Sequence, residues 1–92
     1  MSAYAEVIRT NRTHEPFDVI KLHGSVVTAC RTVHAPEGEA HLTAENVCRR
    51  VIDWLIGKPV VTSRDIETVA SNALEQYHPD AAYVYESSEA ML

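Results

Sequence analysis

Four charged side chains near the start of the chain are of types that could bind an anionic ligand which also forms hydrogen bonds. Within residues 7–22, between apolar residues and a polar turn, the sequence places Arg9, Glu15, Asp18 and Lys21. A β-hairpin followed directly by a helix start would bring these side chains together. Cations attract phosphate, and carboxylates accept hydrogen bonds from a base or a sugar. A nucleotide is the ligand that this combination favours.

A hairpin is the first element that must position these groups. Residues 6–9 place two apolar residues between two charged ones, and as a strand they would put Val7 and Arg9 on one face and Ile8 on the other. Asn11-Arg12 fits a tight turn, because Asn tolerates a positive φ better than most residues. Residues 13–17 can return as the second strand, and their proline limits it to a sheet edge or to the strand's last residues, since proline donates no ladder hydrogen bond.

Helices account for most of the remaining sequence. Apolar residues recur at helical spacing in several windows, and good capping residues stand before them. The sequence predicts a first helix that is capped by Asp18 and runs to about Val33, followed by a loop over 35–41. A second helix is predicted from its cap Thr43 to Gly57, and a short strand at Val60-Val61 follows. A third helix is predicted to begin with a capping box at Thr62–Asp65 and to end at His78-Pro79, and a last helix follows Pro79.

Charge and composition exclude several classes of function. The net charge of −5 opposes general binding to nucleic acid, which needs a basic surface. Residues 1–34 nevertheless carry four cations and three acids, while residues 35–92 carry four cations and ten acids. An anion is therefore best accepted by the first third of the chain. No arrangement of nucleophile, base and acid is discernible, so catalysis is not expected.

The sequence also bears on location and on metal binding. No apolar run approaches the roughly 20 residues that span a bilayer, and the first residues show no secretory signal, so a cytoplasmic protein is expected. Cys30 and Cys48 fall on apolar helical stripes and are interpreted as buried small hydrophobes. A disulfide or zinc site is the weaker interpretation, and no metal site is assigned.

Three segments of the chain, taken in order, resemble a known family. They are Val7-x-Arg9 with Glu15-Pro16-Phe17-Asp18-x-x-Lys21-Leu22, then Thr62-Ser63-Arg64-Asp65-Ile66, then Ala82-Tyr83-Val84. This order resembles the ATP-cone, a small regulatory nucleotide-binding domain of many ribonucleotide reductases and of the bacterial repressor of reductase genes. The resemblance runs from Val7 to about Tyr85. It implies a single α+β domain over 1–92, a four-helix bundle capped by a three-stranded sheet, with 1–5 and 87–92 expected to fray.

The resemblance implies a role for each matched residue at the hairpin. Val7 would form an apolar floor for the adenine. Arg9 and Lys21 would meet the phosphates, and Arg12 would replace a second cation that the family carries in its turn. Glu15 would accept a hydrogen bond from the adenine amine, which a lysine could not do.

Residues at the two helix starts complete the implied site. Asp18 would hydrogen-bond the base or the ribose, and Thr62 or Ser63 would lie beside the phosphates. The candidate nucleotide-binding residues are Val7, Arg9, Arg12, Glu15, Phe17, Asp18, Lys21, Thr62 and Ser63.

The implied function is regulatory binding of ATP or dATP, with or without Mg²⁺ on the phosphates. Binding would control self-association into a homo-oligomer, or docking to a separate regulated protein. The alternative is a degenerate ATP-cone that acts as a protein-interaction or structural module without a nucleotide. Thr10 and Asn11-Arg12, which stand where the family has a second cation and an Asp-Gly turn, favour that alternative, as does the acidic tail from Glu86.

Overall fold

Residues 5–87 are described by a computed structural model, and within that range the chain forms four helices and three strands. In chain order the elements are β1 Glu6–Ile8, β2 His14–Pro16, α1 Val19–Thr32, α2 Glu37–Leu55, β3 Val60–Thr62, α3 Ser63–Tyr77 and α4 Pro79–Ser87. This confirms the predicted α+β class with four helices and a three-stranded sheet. The expected fraying of the termini falls mostly on 1–4 and 88–92, outside the described residues.

The sheet joins the hairpin to a strand from the second half of the chain. Its order is β2-β1-β3, with β1 antiparallel to β2 and parallel to β3. Val7 in the centre lies opposite Glu15 on one side and Val61 on the other. Pro16 is in an edge strand, as predicted. Because β3 leads directly into α3, this pairing brings the start of α3 beside the hairpin.

The hairpin turn is tight, as predicted, but the positive φ falls on a different residue. Arg12 has φ +71°, and Asn11 does not adopt a positive φ. The Asn11 carboxamide oxygen instead accepts hydrogen bonds from the backbone N–H and the hydroxyl of Thr13, at 3.1 and 2.7 Å. Asparagine therefore acts here through its side chain, as in an Asx-turn, and not through its tolerance of left-handed backbone.

Two of the three predicted helix caps, Asp18 and Thr62, are confirmed. The Asp18 Oδ1 atom accepts hydrogen bonds from the backbone N–H groups of Ile20 and Lys21, at 3.0 and 3.3 Å. At the start of α3, Asp65 N donates to the Thr62 hydroxyl at 3.1 Å, and the Asp65 carboxylate accepts from Thr62 N at 3.3 Å. The two helix starts that border the hairpin are thus fixed by local interactions.

Replacing Thr62 with Ala is expected to lower the free energy of unfolding by about 1 kcal/mol, because one N–H of the first turn loses its acceptor. Chemical denaturation measures this loss. The control is Thr68→Ala in the exposed middle of α3, where Ala has the higher helix propensity and stability should not fall. Equal stability of the Thr62 variant and the wild type would show that the capping box does not stabilise α3.

The predicted start of α2 is wrong. The composition of residues 35–41 predicted a loop, with Thr43 as the helix cap, but α2 already begins at Glu37. Acidic residues in the first turn, Glu37 and Glu39, interact favourably with the positive end of the helix dipole. Ala40 is fully buried, so this first turn also packs against the core.

An ion-pair cluster between α1 and α2 supports this early start. Arg31 binds Glu37 through Nε, at 3.1 Å, and through Nη2, while His41 Nε2 lies 3.0 Å from the same carboxylate. Hydrogen bonds from Arg31 and then His41 lower the pKa of Glu37 to about 2. The α1–α2 connection is therefore held by side chains that a local composition pattern does not register.

The core lies between the four helices and under the sheet. Its largest fully buried side chains are Leu22, Leu74, Val26, Val47, Val51 and Cys30. Cys30 and Cys48 are both free and buried, which confirms their interpretation as small core residues. In α4, Tyr85 is buried and Tyr83 is exposed. Across 5–87, no helix combines the length and the apolar character needed to cross a membrane.

Candidate functional site

A cavity of about 40 Å³ lies where the hairpin meets the first turns of α1 and α3. It is lined by Val7, Arg9, Glu15, Pro16, Phe17, Asp18, Lys21, Leu22, Ser63 and Ile66. Seven of the nine residues predicted from the sequence are among them, namely Val7, Arg9, Glu15, Phe17, Asp18, Lys21 and Ser63. Residues from opposite halves of the chain thus build one site.

The floor of this cavity is apolar. Val7, Phe17, Leu22 and Ile66 are all buried there, each with 7% or less of its surface exposed. Flat aromatic rings bind well to such a surface, because apolar area is removed from water on both sides. The floor is therefore suited to a planar ring.

Sequence reasoning missed three of the lining residues: Pro16, Leu22 and Ile66. A usable signal existed for two of them, since Leu22 lies four residues after Asp18 and Ile66 three residues after Ser63. Those spacings place each apolar residue on the same helix face as a predicted site residue. The proline had no comparable signal, because its position depends on where the edge strand ends.

The rim of the cavity is charged, and one carboxylate joins both cations. Arg9 Nη1 lies 3.4 Å from Glu15 Oε2, and Lys21 Nζ lies 3.5 Å from Glu15 Oε1. The side chain of Lys21 is half exposed, and those of Arg9 and Glu15 are about one-third exposed. Long, solvent-accessible ion pairs of this kind contribute only about 0–1 kcal/mol each. The rim can therefore open at little cost in free energy.

The two carboxylates of the site differ in what they already bind. Asp18 caps α1 through Oδ1, so its hydrogen-bonding capacity is partly used by the backbone. Glu15 is held only by side chains that can move away from it. Glu15 is consequently the better acceptor for a ligand, and Asp18 is mainly a structural residue of the site.

The start of α3 contributes Ser63 but not its neighbour Thr62. Ser63 is buried and lines the cavity. It is the first residue of α3, where backbone N–H groups have no acceptor within the helix and commonly bind anions. The Thr62 hydroxyl already accepts a hydrogen bond from Asp65 N in the capping box, and Thr62 does not line the cavity.

Arg12 is the other predicted residue that the structure does not bring into the site. It is exposed in the hairpin turn and does not line the cavity. Its left-handed backbone conformation contributes to the turn. An anion in the cavity would therefore meet two cations, Arg9 and Lys21, and not the three that the sequence predicted.

The chain matches no protein-family model and no curated protein. The resemblance to the ATP-cone therefore stays a prediction from the three sequence motifs.

Proposed function

We propose that this chain is a regulatory module that binds an adenine nucleotide, ATP or dATP, in the cavity between the hairpin, α1 and α3. One observation carries the proposal: an apolar floor, two cations and a displaceable carboxylate converge on the same cavity. These are the groups that a purine ring, a polyphosphate and an exocyclic amine respectively require.

The base would lie on the apolar floor. Val7 and Phe17 come from the hairpin, and Leu22 and Ile66 come from the two helices, so the ring would contact all three elements at once. The cavity of about 40 Å³ has room for a few water molecules only. Arg9 and Lys21 must therefore move away from Glu15 for a purine to enter.

Opening the rim would also create the ligand's polar contacts. Once released, the Glu15 carboxylate can accept a hydrogen bond from the adenine amine, and the two cations can turn to the phosphates. Charge-assisted hydrogen bonds to phosphate are stronger than the long ion pairs that they would replace. Ser63, at the N-terminus of α3, lines the same cavity, and Mg²⁺ would be carried by the phosphates themselves.

Regulation would follow from the difference between the closed and the open rim. A ligand that binds only the open arrangement shifts the population toward it. The hairpin and the first turn of α1 would then expose a different surface, which would alter self-association or docking to a regulated protein.

A second candidate function is a protein-interaction module without a nucleotide. The specific observation in its favour is the closed rim, in which Glu15 already pairs with both cations above a small cavity. In that case the ion pairs are structural, and the hairpin is a rigid surface for a protein partner.

Thermal unfolding with added nucleotide separates the two candidates. A ligand that binds only the folded chain stabilises it by about 2.7 kcal/mol at 100 times its dissociation constant. We expect an increase in Tm with millimolar ATP or dATP, measured with and without Mg²⁺, and smaller increases with AMP and GTP. No shift with any of the four would contradict the nucleotide proposal and leave the interaction module.

Replacing Lys21 with Ala is expected to raise the dissociation constant for ATP by about 10- to 100-fold, because one charge-assisted contact to phosphate is lost. Isothermal titration calorimetry measures this directly. Arg50→Ala is the matched control, since Arg50 is an exposed cation on α2 that does not line the cavity. Equal affinities of the Lys21 variant and the control would place the binding site elsewhere.

A further inference from the structure

One flank of α2 carries four residues at positions that face the same side of the helix. They follow one another at spacings of three, four and three, and together form what we name the α2 stripe: Leu42, Glu45, Arg49 and Ile52. The core side of α2 is formed by other residues, namely Ala40, Ala44, Val47, Cys48, Val51 and Leu55. The stripe therefore lies on the outer surface of the bundle.

The apolar members of the stripe are not fully covered by the fold, although Ile52 packs in part against the core. Leu42 is 59% exposed, and Ile52 is half-buried. Ile52 lines an apolar groove of about 440 Å³ between α1 and α2, and Ile20 in the first turn of α1 lines it as well while remaining 80% exposed. Exposed aliphatic side chains beside an apolar groove are typical of an interaction surface.

The charged members of the stripe are not paired with each other. Glu45 and Arg49 are exposed and four residues apart, a spacing at which opposite charges on a helix often interact. Within the described range 5–87, neither takes part in an ion pair. One positive and one negative charge are thus presented side by side on this surface.

The order of residue types in the stripe is the same in both directions, with the charges exchanged. It reads aliphatic, acidic, basic, aliphatic. If a second α2 packs antiparallel against the first, Leu42 faces Ile52 of the second copy, and Glu45 faces Arg49 of the second copy. The same two contacts recur on the other side of a twofold axis, because both pairs of residues are centred on position 47 of the helix.

We propose that the α2 stripe is the interface through which two copies of this chain form a twofold-symmetric dimer. Twofold interfaces use the same patch on both subunits and must be self-complementary. Next to the stripe, the same surface carries both an exposed aliphatic residue, Ile20, and an apolar groove that can receive one. The stripe itself is formally neutral, so the net charge of −5 does not concentrate repulsion there.

The interface also reaches the nucleotide cavity. Ile20 immediately precedes Lys21 in the first turn of α1, and Lys21 forms part of the charged rim. Movement of that turn on opening of the rim would change how Ile20 fits the groove of the second copy. This coupling rests on the proposed function, whereas the dimer interface does not.

Charge reversals test the interface with the full chain. Sedimentation equilibrium of the wild type should show a dimer. Glu45→Arg and Arg49→Glu should each raise the dimer dissociation constant by about tenfold or more, because both symmetry-related contacts become repulsive. An equimolar mixture of the two variants should recover a heterodimer, since each reversed charge then meets an opposite one. Recovery on mixing also shows that both variants are folded.

Arg50→Glu is the matched control for Arg49→Glu, because it makes the same change of charge on another face of α2. It should leave the dimer intact. A wild type that stays monomeric at high protein concentration, with and without ATP, overturns the proposal. A dimer that neither reversal weakens, or whose variants do not recover on mixing, overturns it as well. A dimer of equal strength with and without ATP supports the interface and contradicts only its coupling to the nucleotide.

Discussion

Replacing Leu74 with Ala is expected to lower the free energy of unfolding by about 3–5 kcal/mol. Leu74 is fully buried in α3, the helix that packs against both α2 and α4. Truncation removes its apolar contacts and leaves a cavity that a close-packed interior fills only in part. Domains are commonly stable by about 5–15 kcal/mol, so this one change would remove a large fraction of the total. Chemical denaturation at constant temperature measures the loss.

Tyr83→Ala is the control for this experiment. Tyr83 is on α4 and is 74% exposed, so its truncation should change the free energy of unfolding by no more than about 0.5 kcal/mol. Equal stability of the Leu74 and Tyr83 variants would show that α3 does not pack against the other helices through Leu74.

Raising the pH from 9 to about 11 is expected to destabilise the folded chain. Burial, with a smaller effect from the charge of Glu45, raises the pKa of the Cys48 thiol from 9.0 to about 11. As the pH rises, the Cys48 thiol of the unfolded chain therefore loses its proton before that of the folded chain. The free energy of unfolding falls from about pH 9 until the folded thiol also ionises near pH 11. Two pKa units correspond to roughly 2–3 kcal/mol. Burial, followed by the charges of Glu67 and Cys48, also raises the pKa of Tyr85, which adds a loss of the same sign above its ordinary value of 10.0.

Single variants show whether Cys48 or Tyr85 causes the loss of stability at alkaline pH. Cys48→Ala should be less stable than the wild type at neutral pH but should lose less stability between pH 9 and 11. Tyr85→Phe should remain stable at neutral pH, because the Tyr85 hydroxyl is buried and has no hydrogen-bond partner within the described residues. Identical pH profiles of wild type and Cys48→Ala would show that burial of Cys48 does not cause the loss.

The features that could be predicted from the sequence depend on neighbouring residues. Asp18 and Thr62 cap helices because their oxygens reach N–H groups two or three residues ahead. Pro16 is at a sheet edge because proline lacks a donor, wherever the rest of the chain goes. The floor residue Val7 was expected from the family resemblance, and it is buried in the central strand of the sheet.

The features that could not be predicted depend on side chains meeting in three dimensions. The spacing left open whether Lys21 pairs with Asp18 or with Glu15, and only the folded chain shows that Glu15 binds both Lys21 and Arg9. The start of α2 is similar, because Glu37 is held by Arg31 from the preceding helix. Arg12 had the right charge but lies in the turn and does not line the cavity.

The central position of β1 has a consequence for the order in which the molecule folds. The hairpin is local, whereas the parallel pairing of β1 with β3 must close a loop of about 50 residues, at a cost in chain entropy. Contacts of such long separation form slowly. A nascent chain on the ribosome can therefore make its hairpin early, but Ser63 and Ile66 reach the cavity only after α2 has been synthesised. The cavity is therefore complete only after α1, α2 and β3 have been synthesised.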